Sequence, residues 1–314
     1  MSGRVGSNLE RVLAAGHFAV TAEVGPPRGP DAAEVRRKAA VVRGIADAYN
    51  VTDNQTAVVR MSSIAASKIL LDEGLEPVMQ MTCRDRNRIA MQSDLLGAWA
   101  LGLRNCLCIS GDHQKAGASG KLKGHPGAKN VYDIDSVQLL SVLKGLRDEA
   151  RQEGGDAISP AAPFFIGAAW TPFGTPEKFR VLRLAKKVAA GADFVQTQAV
   201  YDVARFAEAM RRARERGLTE RVAILPGVIV PRSAGMLKYM QANVPGVDVP
   251  DALIARLKGA ANSKAEGLKI AVELIQGLRQ IPGVRGVHLQ AIEAEEVLPE
   301  VAAVAGLLPR PSLA

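Results

Sequence analysis

Eight short apolar runs alternate with amphipathic helical patterns along the whole chain, and this alternation limits the fold more than any other feature. The runs cover 18–24, 48–52, 76–82, 105–110, 164–170, 194–197, 222–226 and 286–289, each bounded by Gly, Pro, Asp or Asn. Helical spacing predicts helices over 62–72, 88–101, 136–147, 177–190, 203–216 and 267–278. Asp31 and Glu34 form a capping signature ahead of Val35, Ala39 and Val42. Strand–helix units of this kind require parallel strands. Eight of them in 314 residues match a closed (β/α)8 TIM barrel, an α/β fold. An open doubly wound sheet calls for a Gly-rich fingerprint after the first strand, and the segment there reads AEVGPPRG. The interval 232–285 is long enough for extra helices before the last strand, broken at Pro245 and Pro250. No linker or low-complexity stretch divides the chain, so 1–314 is expected to form a single domain.

Composition excludes several function classes. A hydrophobic fraction of 47% with 23% charged residues describes a globular chain, not a disordered one. The net charge of +8 favours anionic ligands. Aromatics are only 4% and do not interleave with the basic residues, so no nucleic-acid partner is expected. The N-terminal stretch is broken by Asn8, Glu10 and Arg11, unlike a signal peptide. No window is long and apolar enough for a membrane span. Three cysteines without a secretory leader point to a reducing compartment, and the expected localisation is cytoplasmic.

In such a barrel, chemistry belongs at the carboxyl ends of the strands. Those ends carry Glu23, Thr52 with Asp53 and Asn54, Gln80 with Thr82-Cys83-Arg84, Ser110-Gly111-Asp112-His113, Trp170, Gln196 with Gln198, Pro226-Gly227, and Gln290 with Glu293. Glu23 follows an apolar strand and precedes Gly25-Pro26-Pro27. Desolvation there would raise its pKa and suit it to general-acid work. The competing reading is a rim salt bridge with Arg28. Gly111-Asp112 would allow close approach of a ligand beside a fixed negative charge; an ordinary turn is the alternative.

The segment 113–131 is rich in Gly and Lys and lacks the spacing of a P-loop. It reads as an anion-receiving loop or as a solvated lid. No Lys lies at a strand end, which argues against Schiff-base chemistry. His17, His113, His125 and His288 do not show metal-ligand spacing, and no metal site is expected. Cys106 and Cys108 share one face of a strand and read as core thiols.

Taken together, these landmarks resemble the methylenetetrahydrofolate reductase family over roughly 18–297. Glu23-Val24-Gly25-Pro26-Pro27-Arg28, Val51-Thr52, Thr82-Cys83, Gly111-Asp112, Tyr132 with Asp135, Gln198 with Tyr201-Asp202, and Leu225-Pro226-Gly227 occur in the family's order. The stretch 129–135, KNVYDID, is also similar to short reductases of anaerobic one-carbon pathways, which can work with partner subunits.

The resemblance implies a flavin held without a covalent bond, FAD in preference to FMN, and hydride transfer to methylenetetrahydrofolate. It assigns Glu23 as the acid that opens the imidazolidine ring and Asp112 as the residue that holds the pterin. Gln198 and Gln290 would bind substrate. Thr52, Gln80, Thr82, Ser110, Gly111, Asp112, Tyr132, Asp135, Trp170, Lys186 and Lys187 would surround the flavin. NADH or NADPH is the implied donor, with a homo-oligomer or a partner electron-transfer subunit as the implied assembly. Related alternatives are a folate-dependent methyl-transfer or demethylation protein, or a non-catalytic flavin- or folate-binding subunit. Gln80 stands where the family has His, Ala199 where a Phe is common, and Gln290, Glu293 and Ala294 where it has Tyr and Arg.

Overall fold

The computed structural model describes residues 5–115, 124–292 and 294–313. Eight strands close into one parallel barrel in sequence order. They are β1 (Ala19–Glu23), β2 (Ala48–Val51), β3 (Pro77–Thr82), β4 (Asn105–Ile109), β5 (Phe165–Trp170), β6 (Phe194–Ala199), β7 (Ala223–Ile229) and β8 (Gly286–Gln290). The helices are α1 (Asn8–Ala14), α2 (Ala32–Val42), α3 (Ser63–Asp72), α4 (Arg88–Ala100), α5 (Ser136–Lys144), α6 (Arg180–Ala189), α7 (Val203–Arg214), α8 (Ala234–Asn243), α9 (Asp251–Gly259), α10 (Ser263–Arg279) and α11 (Leu298–Val304). The expected (β/α)8 barrel is the observed one, and α8, α9 and α10 fill the long interval before β8.

Local chemistry starts these helices. Asp31, Ser62, Asn87, Asp202 and Asn262 each cap a helix by accepting a hydrogen bond from a first-turn N–H. Each such cap contributes about 1 kcal/mol. Outward residues of the strands, such as Val20, Met79, Cys106 and Ile166, join one large core between the barrel wall and the helices. Cys83 and Cys108 share that layer, and burial pushes the Cys83 thiol up to about 12.

Inward residues build a stack of layers. At the amino end Ala19, Ala48, Val78, Leu107 and the stacked pair Phe165–Phe194 meet Leu9, Val12 and Leu13. Helix α1 therefore closes that mouth of the barrel. Leu9 and Val12 are fully buried, each contributing about 2 kcal/mol. Above this floor lies a polar layer. Asn50 and Gln196 exchange two amide hydrogen bonds, at 2.6 and 2.9 Å. Gln196 also donates to Thr21 Oγ1 at 3.0 Å, and Thr21 lies 2.9 Å from His288 Nδ1. Burial pushes His288 down to about 3, so the ring is neutral. The next inward positions form the carboxyl-end rim.

Candidate active site

Glu23 ends β1 and Gln290 ends β8. Gln290 Nε2 donates to Glu23 Oε2 at 2.9 Å. Desolvation raises the Glu23 pKa and outweighs the carboxylate-stabilising hydrogen bond from Gln290; Glu295 raises it further, while Arg60 and Lys38 oppose. The salt bridge weighed for Glu23 with Arg28 is not formed among the described residues. Lys38 instead pairs with Glu295 at 2.8 Å and donates to the Gly25 carbonyl at 3.0 Å. Among the described residues, the direct hydrogen bond to the Glu23 carboxyl comes from the Gln290 amide.

Asp112 follows β4 on an exposed turn. Its Oδ2 accepts from the Thr56 N–H at 3.2 Å, and its carbonyl accepts from Arg84 Nη1 at 3.0 Å. Gly111 has φ +84°, and a Cβ there would lie 3.0 Å from Thr82 Cβ. Glycine is thus required for the turn that presents Asp112. The loop after β2 holds Asn54, Thr56 and Ala57 at φ of 45°, 56° and 57°. Left-handed conformations are costly for such side chains, above all for β-branched Thr. The neighbouring contacts hold them in place: Arg84 Nη2 grips the Asn54 carbonyl and Asn54 Oδ1 accepts from the Arg60 N–H.

Thr52 faces the lumen beyond β2. Its Oγ1 is buried and has no hydrogen-bond partner among the described residues. Gln80 is also buried, on the lumen side of β3. Thr82 donates its hydroxyl to Asp53 Oδ2 at 3.0 Å, and Arg86 pairs with the same oxygen at 2.7 Å. Tyr132 donates its hydroxyl to the Gly111 carbonyl at 3.1 Å, while its own N–H bonds the Cys83 carbonyl. Ser110 contacts Ser136 at 3.3 Å.

Gln198 is exposed at the end of β6, next to a bulge. Gln196 pairs with Leu225 and Ala199 with Gly227, so β6 carries one extra residue. Thr197 Oγ1 closes the bulge by accepting the Gly227 N–H at 3.0 Å. A Cβ on Gly227 would come within 2.6 Å of the Thr197 carbonyl oxygen. The Pro226-Gly227 pair thus lies inside β7, packed against the β6 bulge that contains Gln198.

The remaining expected flavin contacts are Trp170, Asp135, Lys186 and Lys187. Trp170 is corrected: its ring lies in the helix-side core near Phe206, and its Nε1 donates to the Arg180 carbonyl at 3.0 Å. Strand alternation gives the reason, since Ala169 takes the inward position. Asp135 caps α5, its Oδ1 accepting from the Val137 and Gln138 N–H groups. Lys186 is exposed on α6, whereas Lys187 is buried and donates to the Ala169 carbonyl near the end of β5. Burial, with help from Arg183, lowers Lys187 to about 8. Glu293 and the central part of the 113–131 loop lie outside the described residues.

Sequence reasoning gave no role to Arg86 and none to the Asp53–Arg86 pair. The signal was available in Arg84-Asp85-Arg86, alternating charge directly after an apolar strand.

A sequence model of the family described as methylenetetrahydrofolate reductase matches residues 8–306. The chain belongs to the methylenetetrahydrofolate reductase family. A relative from Caenorhabditis elegans, named probable methylenetetrahydrofolate reductase (NADPH), is 26% identical over 263 residues, covering 81% of this chain and 36% of that protein. The chain therefore spans little more than a third of the nematode relative's length. The 5,10-methylenetetrahydrofolate reductase of Salmonella typhimurium is 25% identical over 244 residues, covering 75% of this chain and 72% of that one. Among solved structures, a Clostridium thermocellum protein described as binding two copies of 5-methyl-5,6,7,8-tetrahydrofolic acid superposes with a TM-score of 0.65. It is 14% identical and covers 96% of this chain and 100% of that one, a likeness of fold. Among the described residues no helix is long and apolar enough to cross a membrane.

The reductase family implies a flavin, and the unpartnered Thr52 hydroxyl tests that implication. A buried hydroxyl without a partner costs about 1–3 kcal/mol, which a polar ring edge at the rim would relieve. The Gln80 amide and the Gly111 turn present further polar groups at the same end of the barrel. The residues present fit the group.

Proposed function

We propose that the protein reduces 5,10-methylenetetrahydrofolate to 5-methyltetrahydrofolate. The observation that carries this reading is Glu23, a carboxyl with a raised pKa at the end of β1, held by the Gln290 amide. Kept protonated, Glu23 gives its proton to N10 of the folate, and the five-membered ring opens to an iminium cation. Asp112, across the rim, supplies a fixed negative charge toward the pterin as that cation develops. Gln198, in the bulge, binds the folate, and Gln290 both contacts substrate and orients the acid.

Thr52, Gln80, Thr82, Ser110, Gly111 and Tyr132 would hold the flavin, FAD in preference to FMN, with Lys187 near its phosphates. When bound and reduced, the flavin supplies the hydride for the methylene carbon. The electron donor is NADH, NADPH or a partner electron-transfer subunit, and the protein works in the cytoplasm as a homo-oligomer or with that partner.

The deciding experiment has two parts: the mass of the cofactor extracted from purified protein, and anaerobic turnover of methylenetetrahydrofolate with a chemical reductant. Flavin recovered together with 5-methyltetrahydrofolate supports the reading. A protein that takes up no flavin and forms no product overturns it.

A further inference from the structure

Four rim residues, Glu23, Thr52, Gln198 and Gln290, stand two positions beyond Thr21, Asn50, Gln196 and His288 on the same four staves. Strand side chains repeat with period two. Glu23, Thr52 and Gln290 therefore rise directly above members of the polar layer, while the bulge between Gln196 and Ala199 offsets Gln198. This layer reaches beyond neighbouring strands. In the closed order β1 to β8, the backbone ladder of β6 pairs with β5 and β7. Yet Gln196 bonds to Asn50 of β2 and to Thr21 of β1, so its amide spans the lumen. Thr21 then carries the chain to His288 on β8. The usual content of this position is a plug of branched apolar side chains, which fixes volume but not orientation. Buried amides that satisfy each other fix both distance and direction.

We propose that Gln196 is a positioning residue: braced across the lumen against Asn50 and, through Thr21, His288, it holds the staves so that Glu23 and Gln290 meet. The inference rests on the reading of Glu23 as the acid. It assigns no chemistry to the four buried residues, which act through the rim above them. Gln196 and Asn50 fix the distance between opposite staves. Thr21 and His288 fix β1 against β8, where the acid and its amide sit.

The test uses the full chain with its flavin and three variants. Gln196→Leu strands the Asn50 amide and is expected to lose stability. The double variant N50L/Q196L replaces both amides by apolar groups and keeps the fold. The exchanged pair N50Q/Q196N restores two facing amides of the same total length. The expected result for N50L/Q196L is a kcat for folate reduction lowered about 10²-fold, the scale of a misplaced reacting group, with KM unchanged. N50Q/Q196N recovers most of that loss. A second readout needs no turnover: the infrared carboxyl band of Glu23, obtained by difference against E23Q. Its midpoint is expected to move to higher pH in N50L/Q196L as Gln290 disengages. Wild-type kcat and midpoint in N50L/Q196L, or a fall in Tm alone, overturn the proposal. If the unaltered protein forms no 5-methyltetrahydrofolate, the functional reading falls separately, and the infrared midpoint still decides the brace.

Discussion

Gln290 meets Glu23 through a single amide-to-carboxylate hydrogen bond of 2.9 Å that joins the first and last strands of the barrel. The amide favours the ionised carboxyl, while burial favours the protonated one, and burial prevails. Removing the amide with Gln290→Leu therefore raises the Glu23 pKa further. A general acid is active while protonated, so activity falls as pH rises through its pKa. The descending limb of kcat/KM for folate should move to higher pH in this variant. A limb left in place would separate Gln290 from the acid.

Glu23→Gln should lower folate reduction by at least about 10²-fold and leave reduction of the flavin by its donor intact. The same change should raise Tm at neutral pH. The folded-state pKa lies above the unfolded value, so the carboxyl's stability contribution is full below the unfolded pKa. It is lost as pH rises through the folded one. The gain of Glu23→Gln over the parent should thus vanish in acid. Stopped-flow kinetics and thermal melts at two pH values check both halves.

Asp112→Asn keeps the acceptor for the Thr56 N–H but removes the charge. Folate kcat/KM should fall by about 10-fold or more, with flavin content unchanged. Equal kinetics with full flavin would remove Asp112 from the chemistry.

Thr52→Val removes a buried hydroxyl that has no partner among the described residues. The flavin-free protein should gain about 1 kcal/mol, and flavin should bind more weakly. Opposite signs in the two measurements are the signature of a group kept for a ligand. Calorimetry of the apoprotein with a flavin titration reads both.

Gly111→Ala forces a side chain into a left-handed turn against Thr82. Stability should drop by more than about 1 kcal/mol, and folate turnover should fall with it because Asp112 moves. Urea denaturation beside steady-state kinetics checks this.

The eight strands were legible because buried parallel strands are short apolar runs between turn residues. The reading stopped short at β6 and β7, which continue to Ala199 and Ile229. Gln198 and Pro226-Gly227 look like strand ends when a bulge is not visible. Helix α1 was missed because Glu10, which breaks its apolar pattern, turns back to accept the Val5 and Gly6 N–H groups. Trp170 was misplaced by one position of strand alternation, since a residue at a strand end has no inward or outward mark in sequence. Glu23 and Asp112 stood out because a carboxylate after an apolar run has few structural uses. The lumen amides did not, because their partners lie on the far side of the barrel.

Helix α1 gives the molecule a sealed base. Its leucines and valine sit against the lowest ring of lumen side chains, so among the described residues the amino end of the lumen is closed and ligands are left the opposite end. On the proposed function, folate and a nicotinamide donor share that end, and each arrival waits for the previous departure. Excess of either reactant should then hinder the other, a queue imposed by seven residues at the start of the fold.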